Sequence, residues 1–366
     1  MWKQISFFYS FLFFGVCCSV IPLGNSALNQ RMKVSSSKEM RIFAQDISSN
    51  EDFKNTVFRN LVRPLLIPRM PDTENSTIVQ NYIKSHFSNL NWEVEEDRFS
   101  DSTPYGVKEF NNIIVTYQPE VKNKLVLSCH YDSKNISSRG NYFIAATDSA
   151  VPCAILMDIA TKLNCALLRK QQTRKKSLAE DVTIQMMFFD GEEAYEEWTA
   201  TDSLYGSRHL AKKLAETYDT HYPDTTRMDT ISLFVLLDLI GSSDVEFRNF
   251  YIKTDAHFQM LQKIEKSLKK ADLLNPNGRF QNGREKTIFT NARPYGGIED
   301  DHRPFLLHSP DLPVLHLISV PFPSVWHKMS DNENAIDYHV TDNFNRVFRI
   351  FVANYLHLST EACKKK

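Results

Sequence analysis

The sequence has no excess of charge of either sign. Its 366 residues include 43 lysines and arginines and 44 aspartates and glutamates, so the composition gives no reason to expect a nucleic-acid partner. No internal repeat is visible either. Hydrophobic residues make up 42% of the chain and charged residues 24%, which is enough for a sizeable core and excludes global disorder. The length suits one large α/β domain or two smaller ones.

Long apolar segments are confined to the N-terminus. Lys3 precedes the charge-free stretch ISFFYSFLFFGVCCSVI, and small residues follow. This pattern predicts a signal peptide over residues 1–27, cleaved between 19 and 27, and a mature domain over 28–366. A signal anchor is the alternative, because the stretch is near the lower length limit for a membrane span. Both interpretations place the folded part in the secretory lumen or outside the cell, and no later segment is expected to span a membrane.

Cysteine is scarce, with six residues in the chain. Two of them, Cys17 and Cys18, fall in the predicted signal peptide. Four remain: Cys129, Cys153, Cys165 and Cys363. An oxidising compartment permits disulfides, and four cysteines allow three full pairings. Sequons at Asn75 and Asn135 predict a glycoprotein.

Apolar runs alternate with helical patterns along the chain. Runs predicted to be strands cover residues 111–118, 123–132, 181–190, 230–241 and 312–319. The later runs are unbroken, which is typical of strands covered on both faces. Helical periodicity appears over 77–90, from Pro152 onward, and over 207–218, 258–274 and 342–358. The alternation predicts a single-domain α/β three-layer sandwich with a mixed, mainly parallel central sheet flanked by helices.

Acids and histidines recur where these strands end. The candidates are His130, Asp132, Glu192, Glu193, Asp238 and His316. Ligands of open α/β sheets collect outside the carboxyl ends of the strands, so these side chains are expected to converge on one crevice. Asp148, just before the helix that Pro152 opens, and His327, after the last core strand, join the set.

The residue types in this set suit a metal-dependent enzyme. Glu192 and Glu193 are adjacent and point in different directions, so one carboxylate can bind a metal while the other moves protons. Zinc accepts carboxylate oxygen and imidazole nitrogen, and a catalytic zinc keeps one position open beyond three protein ligands. Asp148, Glu193 and His327 supply that inventory.

Eight stretches together resemble one known family. In chain order they are CHYDSK, ATDSAVPC, FFDGEEA, DSLYGSRHLA, LLDLIG, DDHRPFL, VLHLI and PFPSVWHKMSDN. They are similar to the glutaminyl-peptide cyclotransferases, the animal glutaminyl cyclases, whose superfamily has a zinc aminopeptidase-like α/β fold. The likeness runs from about residue 40 to the C-terminal helix.

The resemblance implies a role for each candidate in the metal site. One zinc per chain would be held by Asp148, Glu193 and His327. Glu192 would be the catalytic proton shuttle, and Asp238 would help to bind the substrate amine.

The resemblance also implies how the pocket is built. Asp300 and His316 would form a hydrogen-bonded network with Asp238 beside the scissile amide. Three aromatic residues would wall the pocket: Trp198, Phe322 and Trp326. The family disulfide would join Cys129 to Cys153, which leaves Cys165 and Cys363 free. Glu299, in the stretch YGGIEDDH, departs from the family pattern, and an extra acid beside the pocket would affect substrate preference.

The activity implied is zinc-dependent cyclisation of the N-terminal glutamine of peptides and proteins to pyroglutamate, with release of ammonia. The protein is expected to be a secreted monomer. A two-zinc aminopeptidase of the same fold is the alternative, because His130 and Asp238 could hold a second metal with a shared Asp148. A lumenal or receptor ectodomain without activity is a further alternative, but such proteins lose ligands, and here the candidates are intact.

Overall fold

A six-stranded sheet lies at the centre of the computed structural model, which describes residues 57–281, 284–292, 294 and 296–359. Its strands are β1 (Glu93–Thr103), β2 (Gly106–Thr116), β3 (Asn123–His130), β4 (Val182–Phe189), β5 (Ile231–Asp238) and β6 (Val314–Ile318). Their order across the sheet is β1-β2-β4-β3-β5-β6. The pairs β1–β2 and β2–β4 are antiparallel, and the other three pairs are parallel. The predicted mixed, mainly parallel sheet is confirmed.

Seven α-helices accompany the sheet in the described residues. They are α1 (Val57–Val62), α2 (Glu74–Asn89), α3 (Val151–Gln172), α4 (Tyr205–Glu216), α5 (Asp255–Lys270), α6 (His302–His308) and α7 (Tyr338–Tyr355). Two short hairpins, Ser137–Ser138 with Asn141–Tyr142 and Phe280–Gln281 with Arg284–Glu285, lie outside the sheet.

The helices pack on both faces of the sheet. On one face, Val126 and Phe234 share a buried cluster with Leu210 of α4 and Phe305 of α6. Leu125 alternates with Val126 along β3 and therefore faces the other side, where α3 packs against β3 and contacts α1, α2 and α7. This is the expected three-layer sandwich.

Local chemistry explains where helices begin. Thr73 caps α2, since its Oγ1 accepts a hydrogen bond from the Ser76 amide at 3.2 Å. Pro152 lies in the first turn of α3, where a missing amide hydrogen costs nothing. Asp337 caps α7 by accepting hydrogen bonds from the amides of His339 and Val340, both at 3.0 Å.

One helix modifies the expectation about membrane spans. The segment Ala146–Gln172, which includes α3, is long and apolar enough to cross a bilayer, and 72% of its most apolar window is buried inside the fold. It therefore has the burial of a core helix. The predicted signal peptide and its cleavage site lie outside the described residues.

The predicted disulfide between Cys129 and Cys153 is not formed in this structure. Cys129, at the end of β3, and Cys153, in α3, are buried free thiols. The Cys153 thiol donates to the carbonyl oxygen of His130 at 3.1 Å. Burial, together with a hydrogen bond to Cys153, raises the pKa of Cys129 well above its ordinary value, so the thiol stays protonated. Cys165, expected to be free, is disulfide-bonded.

The order of the strands in the sheet determines where the crevice lies. The chain passes from β3 to β4 on one side and later to β5 on the other side of β3. Connections that leave in opposite directions open a crevice at the carboxyl ends of the strands. β3 ends there at His130 and β5 ends there at Asp238.

Candidate active site

Asp132 fixes the loop that carries the two adjacent glutamates. Its carboxylate accepts hydrogen bonds from the amides of Glu192 at 3.1 Å and Glu193 at 3.2 Å. The same carboxylate lies 3.3 Å from Nδ1 of His130. The ends of β3 and β4 are thereby tied together, and both glutamates are held at the crevice.

Asp148, Glu193 and His327 form one group that could hold a metal ion. Each offers one ligand atom, and these atoms lie within 4.8 Å of one another. Nε2 of His327 is 3.2 Å from Oε1 of Glu193 and 3.4 Å from Oδ2 of Asp148. That Oδ2 is buried and has no hydrogen-bond partner among the described residues. Two carboxylates and an imidazole around such an atom suit a divalent cation.

Electrostatics points to a cation at the same place. Burial alone would lower the pKa of His327, but the carboxylates of Asp148 and Glu193 outweigh it and raise the pKa to about 9. Burial would raise the pKa of Asp148, but the neighbouring imidazoles of His130 and His327 outweigh it and lower the pKa. The two carboxylates therefore favour positive charge between them, which a metal ion would provide.

His130, Asp148 and Asp238 form a second group with ligand atoms within 4.8 Å of one another. Nε2 of His130 is 3.2 Å from Oδ1 of Asp148 and 3.4 Å from Oδ1 of Asp238. Burial opposes protonation of His130, but its hydrogen bonds to carboxylates raise the pKa well above the ordinary value. The two groups share Asp148.

Glu192 and Glu193 have different surroundings. Oε2 of Glu193 accepts a hydrogen bond from Nζ of Lys134 at 3.2 Å. The Glu192 carboxylate has neither a hydrogen bond nor an ion pair with any residue in the described part of the chain, and it lines a cavity of about 280 Å³. Burial raises the pKa of Glu192 well above its ordinary value. Both glutamates line the cavity, but only Glu193 belongs to the candidate metal-binding group, which consists of Asp148, Glu193 and His327.

Aromatic side chains form part of the cavity wall. Trp198, Phe322 and Trp326 all line it. The rings of Phe322 and Trp326 meet edge to face with centroids 4.9 Å apart. Trp326 also stacks on His327 at 4.1 Å, so the aromatic wall is in direct contact with the candidate metal-binding group.

Asp300 and His316 pair beside the cavity without lining it. His316 Nε2 lies 2.7 Å from Asp300 Oδ2. Within the described residues Asp238 does not join this pair by a hydrogen bond, contrary to the expected network; it accepts hydrogen bonds from Ser149 Oγ and from the Leu239 amide. Burial raises the pKa of Asp238 to about 6, a hydrogen bond to His130 opposes that rise, and the charge of Asp300 adds to it.

The structure adds residues that the sequence analysis does not single out. Lys134 and Ser149 contact Glu193 and Asp238, and both lie inside the quoted stretches CHYDSK and ATDSAVPC. Arg69 is fully buried. Its side chain donates to five backbone carbonyls: Leu65, Ile67, Tyr131, Ile144 and Ala145. Nothing in the proline-punctuated stretch around Arg69 signals that role.

A match to a family model identifies the class of protein. The family model for peptidase family M28 matches residues 112–352. The chain therefore belongs to this family, whose match covers most of the sheet and the candidate site.

Closer relatives narrow the assignment within that class. The glutaminyl-peptide cyclotransferase of Bos taurus is 43% identical over 311 residues, 82% of each chain. That of Drosophila melanogaster is 42% identical over 308 residues, 83% of this chain and 82% of the relative. The crystal structure of Macrostomum lignano glutaminyl cyclase superposes with a TM-score of 0.77 at 35% identity, covering 89% of this chain and 95% of that one. The chain is a member of the glutaminyl-peptide cyclotransferase family of enzymes, and the resemblance seen in the sequence is confirmed.

Proposed function

We propose that this enzyme is a zinc-dependent glutaminyl cyclase, which converts the N-terminal glutamine of peptides and proteins to pyroglutamate and releases ammonia. One observation carries the proposal. Glu193 lies with Asp148 and His327 in a group suited to a single cation, while its neighbour Glu192 presents a carboxylate to the cavity that no described residue pairs with. The names of the similar proteins support the same reaction.

The metal proposed is one zinc ion per chain, held by Asp148, Glu193 and His327. Two carboxylates and one imidazole are zinc ligands and leave a position open for a substrate oxygen. When bound there, zinc supplies a Lewis acid that polarises the side-chain carbonyl of the glutamine.

The protein side chains position the substrate and move its proton. Asp238 accepts a hydrogen bond from the substrate α-amine, and the pair Asp300–His316 lies behind it. Trp198, Phe322 and Trp326 wall the cavity and exclude water. The α-amine is tethered to the amide that it attacks, so the enzyme mainly selects a folded-back conformer.

The reaction balances without water. Glu192 takes a proton from the α-amine, whose nitrogen forms a bond to the side-chain amide carbon and closes a five-membered lactam. The bond from that carbon to the amide nitrogen breaks, Glu192 returns the proton to the departing nitrogen, and ammonia leaves.

A peptide that begins with glutamine tests the proposal. Incubation with the enzyme is expected to remove a mass equal to ammonia, and a zinc chelator is expected to stop the reaction until zinc is restored. Release of a free amino acid instead would mean hydrolysis and would contradict the proposal.

The second group of possible ligands favours one alternative, a two-zinc aminopeptidase. Its distinguishing residues are His130 and Asp238, which lie with Asp148. Metal analysis separates the two functions: the cyclase is expected to hold one zinc per chain, and Asp238→Asn is expected to keep it. Two zinc ions in the wild type, with one lost in Asp238→Asn, would favour the aminopeptidase.

The cellular setting is part of the proposal. We infer a secreted or lumenal monomer released by removal of residues 1–27, with glycans at Asn75 and Asn135. The exposed side chain of Asn135 supports modification there. N-terminal sequencing of protein from a eukaryotic culture medium, with its mass before and after deglycosylation, tests both points.

A further inference from the structure

Glu299 places an unpaired carboxylate at the rim of the cavity. Its side chain is exposed and lines the same cavity as Glu192. Across the described ranges it makes no hydrogen bond and no ion pair, and it belongs to none of the groups suited to a metal ion. Glu299 is therefore available to whatever enters the cavity.

Two indole rings accompany this carboxylate. Trp198 is 41% exposed and Trp326 is 38% exposed, and both line the cavity. Trp326 is stacked on His327 and touches Phe322 edge to face, so its ring is held in place. An indole face attracts a lysine or arginine side chain, and a carboxylate nearby adds to that attraction.

Two further acids lie next to Trp198 in the chain. Glu196 and Glu197, next to Trp198 in the chain, are exposed, and their carboxylates form no ion pair with described residues. The ammonium group of Lys134 is already bonded to Glu193 and to the carbonyl of Ala194. Among the residues that line the cavity, Glu299 is the exposed one that carries a charge, and a carboxylate there favours cationic ligands over anionic ones.

The size of the cavity decides which part of a substrate meets the rim. At about 280 Å³ it is at the small end for a ligand pocket, so it accommodates the reacting residue and leaves the following residues at the mouth. On the proposed function, the glutamine lies beside Glu192, and the second residue of the peptide reaches Glu299.

We propose that Glu299, with Trp198 and Trp326, selects peptides that carry lysine or arginine directly after the N-terminal glutamine. The inference rests on the proposed cyclase function and adds the substrate class. The selection is electrostatic, so it acts on binding and weakens as salt screens the rim.

The full-length enzyme can be tested with three peptides that begin with glutamine. They differ only at the second residue, which is lysine, alanine or glutamate. For the wild type at low salt, kcat/KM is expected to fall in that order, mainly through KM, and the spread is expected to narrow at high salt. Glu299→Gln is expected to reduce the lysine-to-glutamate ratio by about fivefold, the upper range for an exposed charge pair. Glu299→Lys is expected to invert the order.

Glu216→Gln is the matched control. Glu216 is exposed at the end of α4, does not line the cavity, and its substitution makes the same change in net charge. It is expected to keep the wild-type ratio. Equal kcat/KM for the three peptides, or an unchanged ratio in Glu299→Gln, would overturn the selection while leaving cyclisation intact. Failure of the wild type to cyclise any of the three would overturn the proposed function, and the inference with it.

Discussion

Glu192 and Glu193 are adjacent residues of the same type whose carboxylates have different contacts. Asp132 holds both backbone amides and both residues line the cavity, yet only the Glu193 carboxylate lies with Asp148 and His327. A lysine ammonium group neutralises the first, and none of the described residues pairs with the second. The proposed division of labour therefore rests on the different contacts of the two carboxylates.

Glu192→Gln tests that division. Glutamine keeps the shape of glutamate but cannot accept the proton of the α-amine, so kcat is expected to fall by about 10²- to 10⁴-fold. Bound zinc, measured by metal analysis, is expected to stay at the wild-type level because Glu193 is intact. Glu196→Gln, at an exposed position in the same loop, is the control for metal content. A Glu192→Gln enzyme with wild-type kcat would disprove the assignment.

Arg69 connects separate segments of the fold. Its guanidinium joins the segment before α2 to the loops that lead to Asp132 and Asp148, entirely through backbone carbonyls. Burial lowers the pKa of Arg69, and the nearby charges of Asp132, Asp148 and Asp331 oppose that effect. Arg69 is thus a buried cation beneath the acids of the site.

Arg69→Lys is expected to lower the free energy of unfolding by about 3 kcal/mol, because an ammonium group cannot serve all these carbonyls and leaves several buried acceptors unsatisfied. Urea unfolding measures the change. Arg139→Lys, at an exposed arginine, is expected to stay within about 0.5 kcal/mol of wild type. A similarly small loss in Arg69→Lys would contradict a structural role for the guanidinium fork.

Asp97 ties the outer strand β1 to α4. Burial alone would raise the pKa of Asp97, but hydrogen bonds from His209, Asn112 and Lys213 outweigh it and lower the pKa to about 2. A carboxylate whose folded pKa lies below its unfolded value, about 3.9, contributes stability above that value and loses it as pH falls toward the folded pKa.

Asp97→Asn is accordingly expected to cost about 2 kcal/mol in the free energy of unfolding near pH 6, a penalty that shrinks as pH approaches 2. Denaturant unfolding over this pH range gives the profile. Asp224→Asn, at an exposed acid, is the control. A penalty that is constant with pH would rule out the ionised carboxylate as its source.

The elements themselves show what sequence patterns can and cannot predict. The unbroken apolar runs of β4, β5 and β6 predict strands covered on both faces, and the polar residues at the strand ends predict the crevice. The strand β1, EVEEDRFSDST, escapes prediction because only Asp97 among its residues is buried, so it has no apolar pattern. The role of Arg69 could not be predicted because its partners are backbone carbonyls, which every residue has, so no sequence pattern marks them.

At the scale of the molecule, the candidate metal-binding group depends on the whole fold. Asp148, Glu193 and His327 come from three distant segments, so the unfolded chain has no such group. On the proposed function, zinc binds the folded state alone and stabilises it. Zinc at 100 times its Kd is expected to add about 2.7 kcal/mol to the free energy of unfolding.

Thermal unfolding with zinc and with a chelator measures this linkage. The Tm is expected to fall on chelation in the wild type and to be insensitive to chelation in His327→Ala. Equal Tm values for wild type with and without chelator would show that no metal is bound in the folded state.

The two outer strands of the sheet are protected in different ways. β6 is five residues long and buried throughout, and β1 is dominated by acidic and polar side chains. The short, buried edge strand β6 and the charged edge strand β1 both disfavour backbone pairing with a strand of another chain. At high protein concentration, the molecule is therefore not expected to form fibres by strand addition at either edge of the sheet.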